Sequence, residues 1–296
     1  MRENLQGRFC FRKIAAATQE FFRKAGEKFY HRRAKTGTLR HLVVRKARFT
    51  GEILINLVTN SGFTSEPRAF ANELRKLRLN GEIAGILHTI NDSVADAVRC
   101  DRLDILYGRD FFIEQLLGLL FRISAFSFFQ TNSAQAERMY LTVREFAGDL
   151  RNKSVLDLYC GTGTIAQVLC SSALDVGSKS DVVYGEITAG EIIEVTGKIT
   201  GIEKVAEAVE SARSNAQLNG LNCEFIVGDV LKTIDNISYQ PNLIVLDPPR
   251  EGVHPKAMRK ILNMQAEKII YISCNPATMA RDIAFFVNNG YNLNCT

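Results

Sequence analysis

The chain has 296 residues, 46% of them hydrophobic and 23% charged, enough to bury one large core or two ordinary ones. Its longest membrane candidate, residues 111 to 121, is interrupted by Glu114 and falls short of the ~18 apolar residues a spanning helix needs. Seven cysteines at positions 10, 100, 160, 170, 223, 274 and 295 form no CxxC pair, which argues against a disulfide framework, a zinc site or an iron–sulfur cluster and suits a reducing intracellular compartment.

The net charge of +5 hides an asymmetry. Residues 1–50 hold 14 Lys and Arg against 3 Asp and Glu, a net +11, whereas the other 246 hold 23 against 29, a net −6. A basic lobe beside a mildly acidic one suits a polyanion gripped at one end, with chemistry at the other. The bland alternative is a solvated basic helix. An Arg-rich organellar transit peptide is weakened by Glu3, Glu20 and Glu27.

In chain order, Phe11, Ile14, Ala15, Phe21, Phe22, Ala25 and Phe29 fall at helical spacing, so residues 9–33 read as a basic amphipathic helix. Two β-prone runs, 39–48 and 52–59, joined at Phe49-Thr50-Gly51, read as a hairpin decorated by Arg40, Arg45 and Arg48. In the second run Ile53, Ile55 and Leu57 give one strictly apolar face. A helix is expected over 66–79, then short strands near 82–90, 103–107 and 119–129. Residues 1–125 thus form a small basic α+β domain, contacting RNA. Residues 126–140 lead into a second domain, 126–296, with Gln130 just ahead of a helix from Ala134 to about Leu150, capped by Asn132 or Ser133.

From 155 onward strands and helices alternate. Strands are expected at 155–159, 199–203, 224–227, 243–247 and 269–273, and helices at 164–171, 204–219, 255–265 and 278–289. That pattern predicts an α/β fold with a mainly parallel, doubly wound sheet, whose ligands bind at the carboxyl ends of the strands. The run 155–165, VLDLYCGTGTI, gives strand, glycine turn and helix, the way a backbone approaches a nucleotide-like ligand. Glu203 ends the next strand, where an acid accepts from two ribose hydroxyls; Asp229 ends the third, where it accepts from an adenine amino group. Asp247 ends the fourth before two prolines. A single strand-end acid is more often a helix cap, but three in succession after a glycine turn weaken that reading.

Cys274 ends the fifth strand, before Asn275-Pro276 and a helix. A thiol near a helix N-terminus ionises more readily and becomes nucleophilic. Cysteines 160, 170 and 223 read as small packing residues.

The segments FSFFQTN, LDLYCGTGT, TGIE, AVESARSNAQLNG, LDPPREG and YISCNPATMARD, in that order over residues 36 to 291, resemble the S-adenosylmethionine-dependent RNA uracil-C5 methyltransferases, particularly those that methylate ribosomal RNA uridines. The resemblance implies a Rossmann-like class I methyltransferase domain. It also implies that Gln130, Tyr159, Thr164, Glu203, Asp229 and Asp247 line the S-adenosylmethionine site and that Cys274 is the nucleophile. The expected partner is RNA, ribosomal rather than transfer RNA, for a monomeric chain with no membrane and no metal, located in the cytoplasm or in a plastid or mitochondrion.

Three features depart from the family pattern. The frequent N-terminal oligonucleotide-binding barrel and the four-cysteine motif of some members are not visible. Gly163 and Glu203 are 40 residues apart, which implies an insertion near 172–196. Finally, Thr296 follows Cys274 by only 22 residues, whereas the resemblance implies a glutamate base further along, past a final strand pair. Asp282 is the one acid after Cys274, in a helix and unsuited to that role. The chain is therefore expected to be truncated, lacking its last strands and stalling as a covalent adduct.

Two other readings compete. An amino-methyltransferase would place an aromatic after the Pro-Pro pair, where Arg250 stands, and would leave Cys274 idle. A non-catalytic RNA-binding factor keeps the domain without the chemistry. A dinucleotide-dependent dehydrogenase is excluded because the turn lacks its third glycine.

Overall fold

The structure, a computed structural model, describes residues 3–93, 100–171 and 198–294. The chain divides into one unit of residues 1–115 and 122–126 and another of residues 116–121 and 127–296.

Helix α1 (Glu3–Lys24) opens the first unit. It stops short of residue 33 because Gly26 turns the backbone at a φ of 74°. The expected hairpin forms from β1 (Leu39–Lys46) and β2 (Ile53–Thr59), paired antiparallel. Its second strand departs from the one-faced pattern, being buried at all positions. The reason is non-local: β2 also pairs in parallel with β3 (Ile83–Ile90), reached through α2 (Pro67–Arg75), which makes it an interior strand. β4 (Arg102–Gly108) completes the sheet in the order β1-β2-β3-β4. Ile14 and Phe22 from α1 and Phe70 and Leu74 from α2 pack on Ile53, Ile55, Leu57 and Ile86.

The single strand expected over 119–129 is a two-stranded ribbon, β5 (Phe111–Leu116) with β6 (Leu119–Ser124), whose residues are divided between the units. Leu117 and Gly118 form its turn, with φ of 49° and 82°. Positive φ at both positions gives the tight turn, and a leucine in the first of them disguises it in the sequence.

In the second unit, Asn132 caps α3 (Ser133–Ala147) by accepting from the Gln135 N–H at 3.3 Å. The sheet comprises β7 (Ser154–Leu158), β8 (Lys198–Glu203), β9 (Cys223–Val227), β10 (Leu243–Leu246) and β11 (Lys268–Tyr271). All pairings are parallel, in the order β11-β10-β7-β8-β9. Helices α4 (Thr164–Cys170), α5 (Ala206–Leu218), α7 (Pro255–Asn263) and α8 (Pro276–Asn288) follow their strands as expected. A short α6 (Val230–Thr233) and the 3₁₀ turn after it were not anticipated. Leu156, Leu158, Ile202, Ile244 and Leu246 share a core with Val253, Ala257, Ile261 and Phe286. The order reverses at β7, the place where open α/β sheets bind ligands.

Three strands, β7, β10 and β11, end one or two residues before their expected ranges, and β9 ends at Val227 as expected, two residues short of Asp229. Tyr159, Asp229, Asp247 and Cys274 therefore sit on turns beyond β7, β9, β10 and β11, while Glu203 remains the last residue of β8. The insertion expected at 172–196 lies outside the described residues.

Candidate active site

Register brings the turns together. Leu158, the last residue of β7, lies level with Leu246 of β10 and Ile202 of β8. Tyr159, Asp247 and Glu203 follow these three residues directly, so they leave the sheet at one edge. The N–H groups of Tyr159 and Cys160 both donate to the Ile202 carbonyl, at 2.9 and 3.2 Å. Positive φ at Tyr159 (64°), Gly161 (54°) and Gly163 (71°) then coils the chain into the start of α4. A left-handed tyrosine is costly and marks a constrained site. At Gly163 space adds to conformation, because a Cβ there would lie 2.5 Å from the Phe225 ring and 2.9 Å from Ala212 Cβ.

The acids divide by environment. Glu203 is held against the glycine turn, its Oε2 accepting from the Gly161 N–H at 3.3 Å and its Oε1 from Val205 at 2.9 Å. Asp157, inside β7, is fully buried; Oδ2 accepts from the Ala166 N–H at 3.1 Å, while Oδ1 has no hydrogen-bond partner. Burial and then the charge of Asp247 push its carboxyl up to about 8, and burial pushes Asp247 up to about 6. Both shifts have one physical meaning: negative charge is crowded into a place poor in water and in cations. Burial, followed by Asp247 and Asp157, also raises the Tyr140 phenol, which hydrogen-bonds Thr164.

The remaining expected residues are placed less uniformly. Thr164 is buried at the start of α4, with Oγ1 3.4 Å from that of Thr162. Asp229 is exposed and caps α6, accepting from the Leu231 N–H at 2.9 Å, which is the helix-cap role that strand-end acids commonly take. Its charge, after burial, helps raise the Tyr159 phenol to about 12. Gln130 is half-buried between β6 and α3. Sequence reasoning did not select Asp157 or Tyr140. For Asp157 the signal was an acid inside the apolar run 155–158; for Tyr140, inside the helix expected from Ala134 to about Leu150, there was none.

Cys274 is exposed on the turn between β11 and α8. Asn275 caps α8, its Oδ1 accepting from the Ala277 N–H at 3.1 Å. Its Nδ2 donates to the Arg250 carbonyl at 3.0 Å, and Thr278 Oγ1 donates to the same oxygen at 3.2 Å. The cysteine's turn is thereby tied to the turn that follows Asp247. Cys160 and Cys170 are buried, and burial pushes the Cys160 thiol well up, so neither is a competing nucleophile.

An array of carboxylates and turn N–H groups around an unpaired buried oxygen fits a ligand rich in hydroxyl donors and carrying positive charge, as an adenosyl sulfonium is. Among the described residues, no three His, Cys, Asp or Glu side chains gather as metal ligands.

Known proteins resemble this chain in sequence and in fold. Residues 49–289 match the family described as tRNA (Uracil-5-)-methyltransferase. An uncharacterized RNA methyltransferase of Clostridium tetani is 46% identical over 282 residues, covering 95% of this chain and 57% of the relative. One from Caldanaerobacter subterraneus is 48% identical over 282 residues, covering 95% and 58%. Among solved structures, the Pyrococcus abyssi tRNA (uracil-54, C5)-methyltransferase in complex with S-adenosyl-L-homocysteine superposes with a TM-score of 0.69 at 26% identity, over 91% of this chain and 58% of that one. The chain thus spans somewhat over half the length of the proteins it matches.

Proposed function

The chain belongs to the tRNA (uracil-5-)-methyltransferase family, and from that premise we propose that it methylates carbon 5 of an RNA uridine, using S-adenosylmethionine and a covalent Cys274 adduct. One observation carries the proposal: an exposed cysteine on a turn hydrogen-bonded to the loop that follows Asp247.

The donor supplies an electrophilic methyl group. Glu203, already aligned by two backbone N–H groups, takes the ribose hydroxyls, and Asp229 the adenine amino group. Asp157 and Asp247 offer negative charge to the cationic end, while Gln130, Tyr159 and Thr164 line the cavity. On the acceptor side, the Cys274 thiolate forms a bond to carbon 6 of the uracil and the ring electrons move toward oxygen 4. Carbon 5 thereby becomes nucleophilic enough to take the methyl group. Release needs a base for the carbon 5 proton, after which the sulfur–carbon 6 bond breaks. Asp282 is unsuited, being fully buried and accepting from Val253, Tyr271 and Arg281. The target base must be unstacked to reach the thiol.

Ribosomal RNA is the substrate we favour, through the sequence segments around Gln130 and Cys274. Transfer RNA is the second reading, favoured by the family's description and by the Pyrococcus enzyme's substrate. Incubation with tritiated donor and unmodified ribosomal or transfer RNA, followed by mapping of the labelled uridine, decides between them. Methylation that survives intact in Cys274→Ser would refute the covalent route and favour an amino-methyltransferase.

A further inference from the structure

We propose that Asp282 is a positioning residue for the Cys274 thiol, an assignment that rests on the covalent reading above. Asp282 is fully buried on the inner face of α8. Its Oδ2 accepts from the Val253 N–H at 2.7 Å and from the Tyr271 hydroxyl at 2.6 Å, and its Oδ1 from Arg281 Nε at 2.8 Å.

These partners lie at both ends of the active-site loops. Tyr271 is the last residue of β11, three positions before Cys274. Val253 closes the turn that starts at Asp247. One carboxylate therefore joins the strand that delivers the thiol to the loop that delivers an acid. Arg281 reinforces the joint by donating to the Glu251 carbonyl at 2.9 Å. Gly252 wraps so closely over the carboxylate, at a φ of 79°, that a Cβ there would lie 2.5 Å from Oδ2. Together with the Asn275 and Thr278 bonds to Arg250, the joint makes the 250–253 and 273–278 turns one body.

A buried carboxylate with only a half-exposed arginine as counter-charge is expensive. Packing alone would be served more cheaply by an apolar residue. What the carboxylate adds is directional attachment of three donors, one on the turn at Val253, one at the end of β11 and one on α8. The consequence is that the turn bearing Cys274 stays fixed where α8 begins, and a helix N-terminus is a place where backbone N–H groups stabilise an anion.

The test uses iodoacetamide on the whole chain, with peptide mass spectrometry to follow alkylation of Cys274 against pH. Cys100, exposed in the other unit, serves as the internal reference. Asp282→Asn is expected to raise the midpoint of the Cys274 curve by about half a pH unit, a roughly threefold slowing below the midpoint, with Cys100 unmoved. Tyr271→Phe, which removes one donor and keeps the charge, should shift it the same way by less. If Asp282→Asn fails to fold, Tyr271→Phe decides alone. A folded variant whose Cys274 curve is superimposable on wild type would reduce Asp282 to a purely structural role. A downward shift would also overturn the proposal, since loss of a neighbouring anion without loss of alignment moves a thiol that way. Neither RNA nor methyl donor enters the assay, so it can fail while methyl transfer stands, and the reverse.

Discussion

The side-chain amide of Asn219 pairs with both main-chain groups of Leu120, its oxygen accepting from the N–H at 2.8 Å and its nitrogen donating to the carbonyl at 2.9 Å. The same nitrogen also donates to Gln167 Oε1 at 3.1 Å and to the Asn215 carbonyl at 2.9 Å. A 99-residue separation is closed by one side chain at the end of α5. Asn219→Asp would turn an acceptor toward three acceptors, so it should cost about 2–4 kcal/mol and exceed Asn219→Ala. Urea denaturation of the two variants checks the order.

The glycine turn offers a matched pair. Alanine at Gly161 meets only an unfavourable φ, with nothing within 4 Å, whereas at Gly163 it meets the Phe225 ring as well. Gly161→Ala should cost about 1 kcal/mol and Gly163→Ala at least ~2 kcal/mol more, read as midpoints of chemical unfolding. Equal losses would mean that the ring yields freely.

Stability should also depend on pH through the buried acids. Asp157 rises from 3.8 to about 8 in the folded chain, and Asp247 from 3.8 to about 6. Between those limits the folded chain holds more protons than the unfolded one. Their contribution is thus complete below pH ~4 and is lost as pH rises toward 8. Asp157→Asn should flatten the loss between pH 6 and 8, a gain on the order of a few kcal/mol at the upper end. Denaturation curves at pH 5, 6, 7 and 8 would show it; parallel slopes for the two proteins would count against a protonated Asp157.

Binding of a cationic donor should reverse that protonation. Positive charge beside Asp157 and Asp247 lowers both, so S-adenosylmethionine should release protons at pH 7, up to about one per site. Calorimetric titration in phosphate and in Tris separates the cases, because proton release makes the apparent enthalpy depend on the buffer. Identical enthalpies would show that the acids stay as they were.

Much of the second unit was legible because its signals are local. The run 243–246, and 155–158 apart from Asp157, are apolar on both sides, which is the pattern of a covered parallel strand. Glu203 was readable for the same reason, since it ends a short run before a helix. The first unit was less legible: nothing near Ile53 announces that β3 will lie along its second edge. Cys274 was singled out by its neighbours Asn275 and Pro276, but the bond from Asn275 to the Arg250 carbonyl joins positions 25 apart and has no local trace. Asp229 shows a different limit, since capping a helix and accepting from a ligand ask for the same residue at the same place.

Level strand ends carry a consequence for assembly. Slipping β8 by one residue against β7 would swing Glu203 to the opposite face and pull it off the Gly161 N–H. On the role proposed for Glu203, an adenosyl ligand would bind the true pairing better than a slipped one, so its binding free energy would add to the stability of the correctly aligned sheet alone.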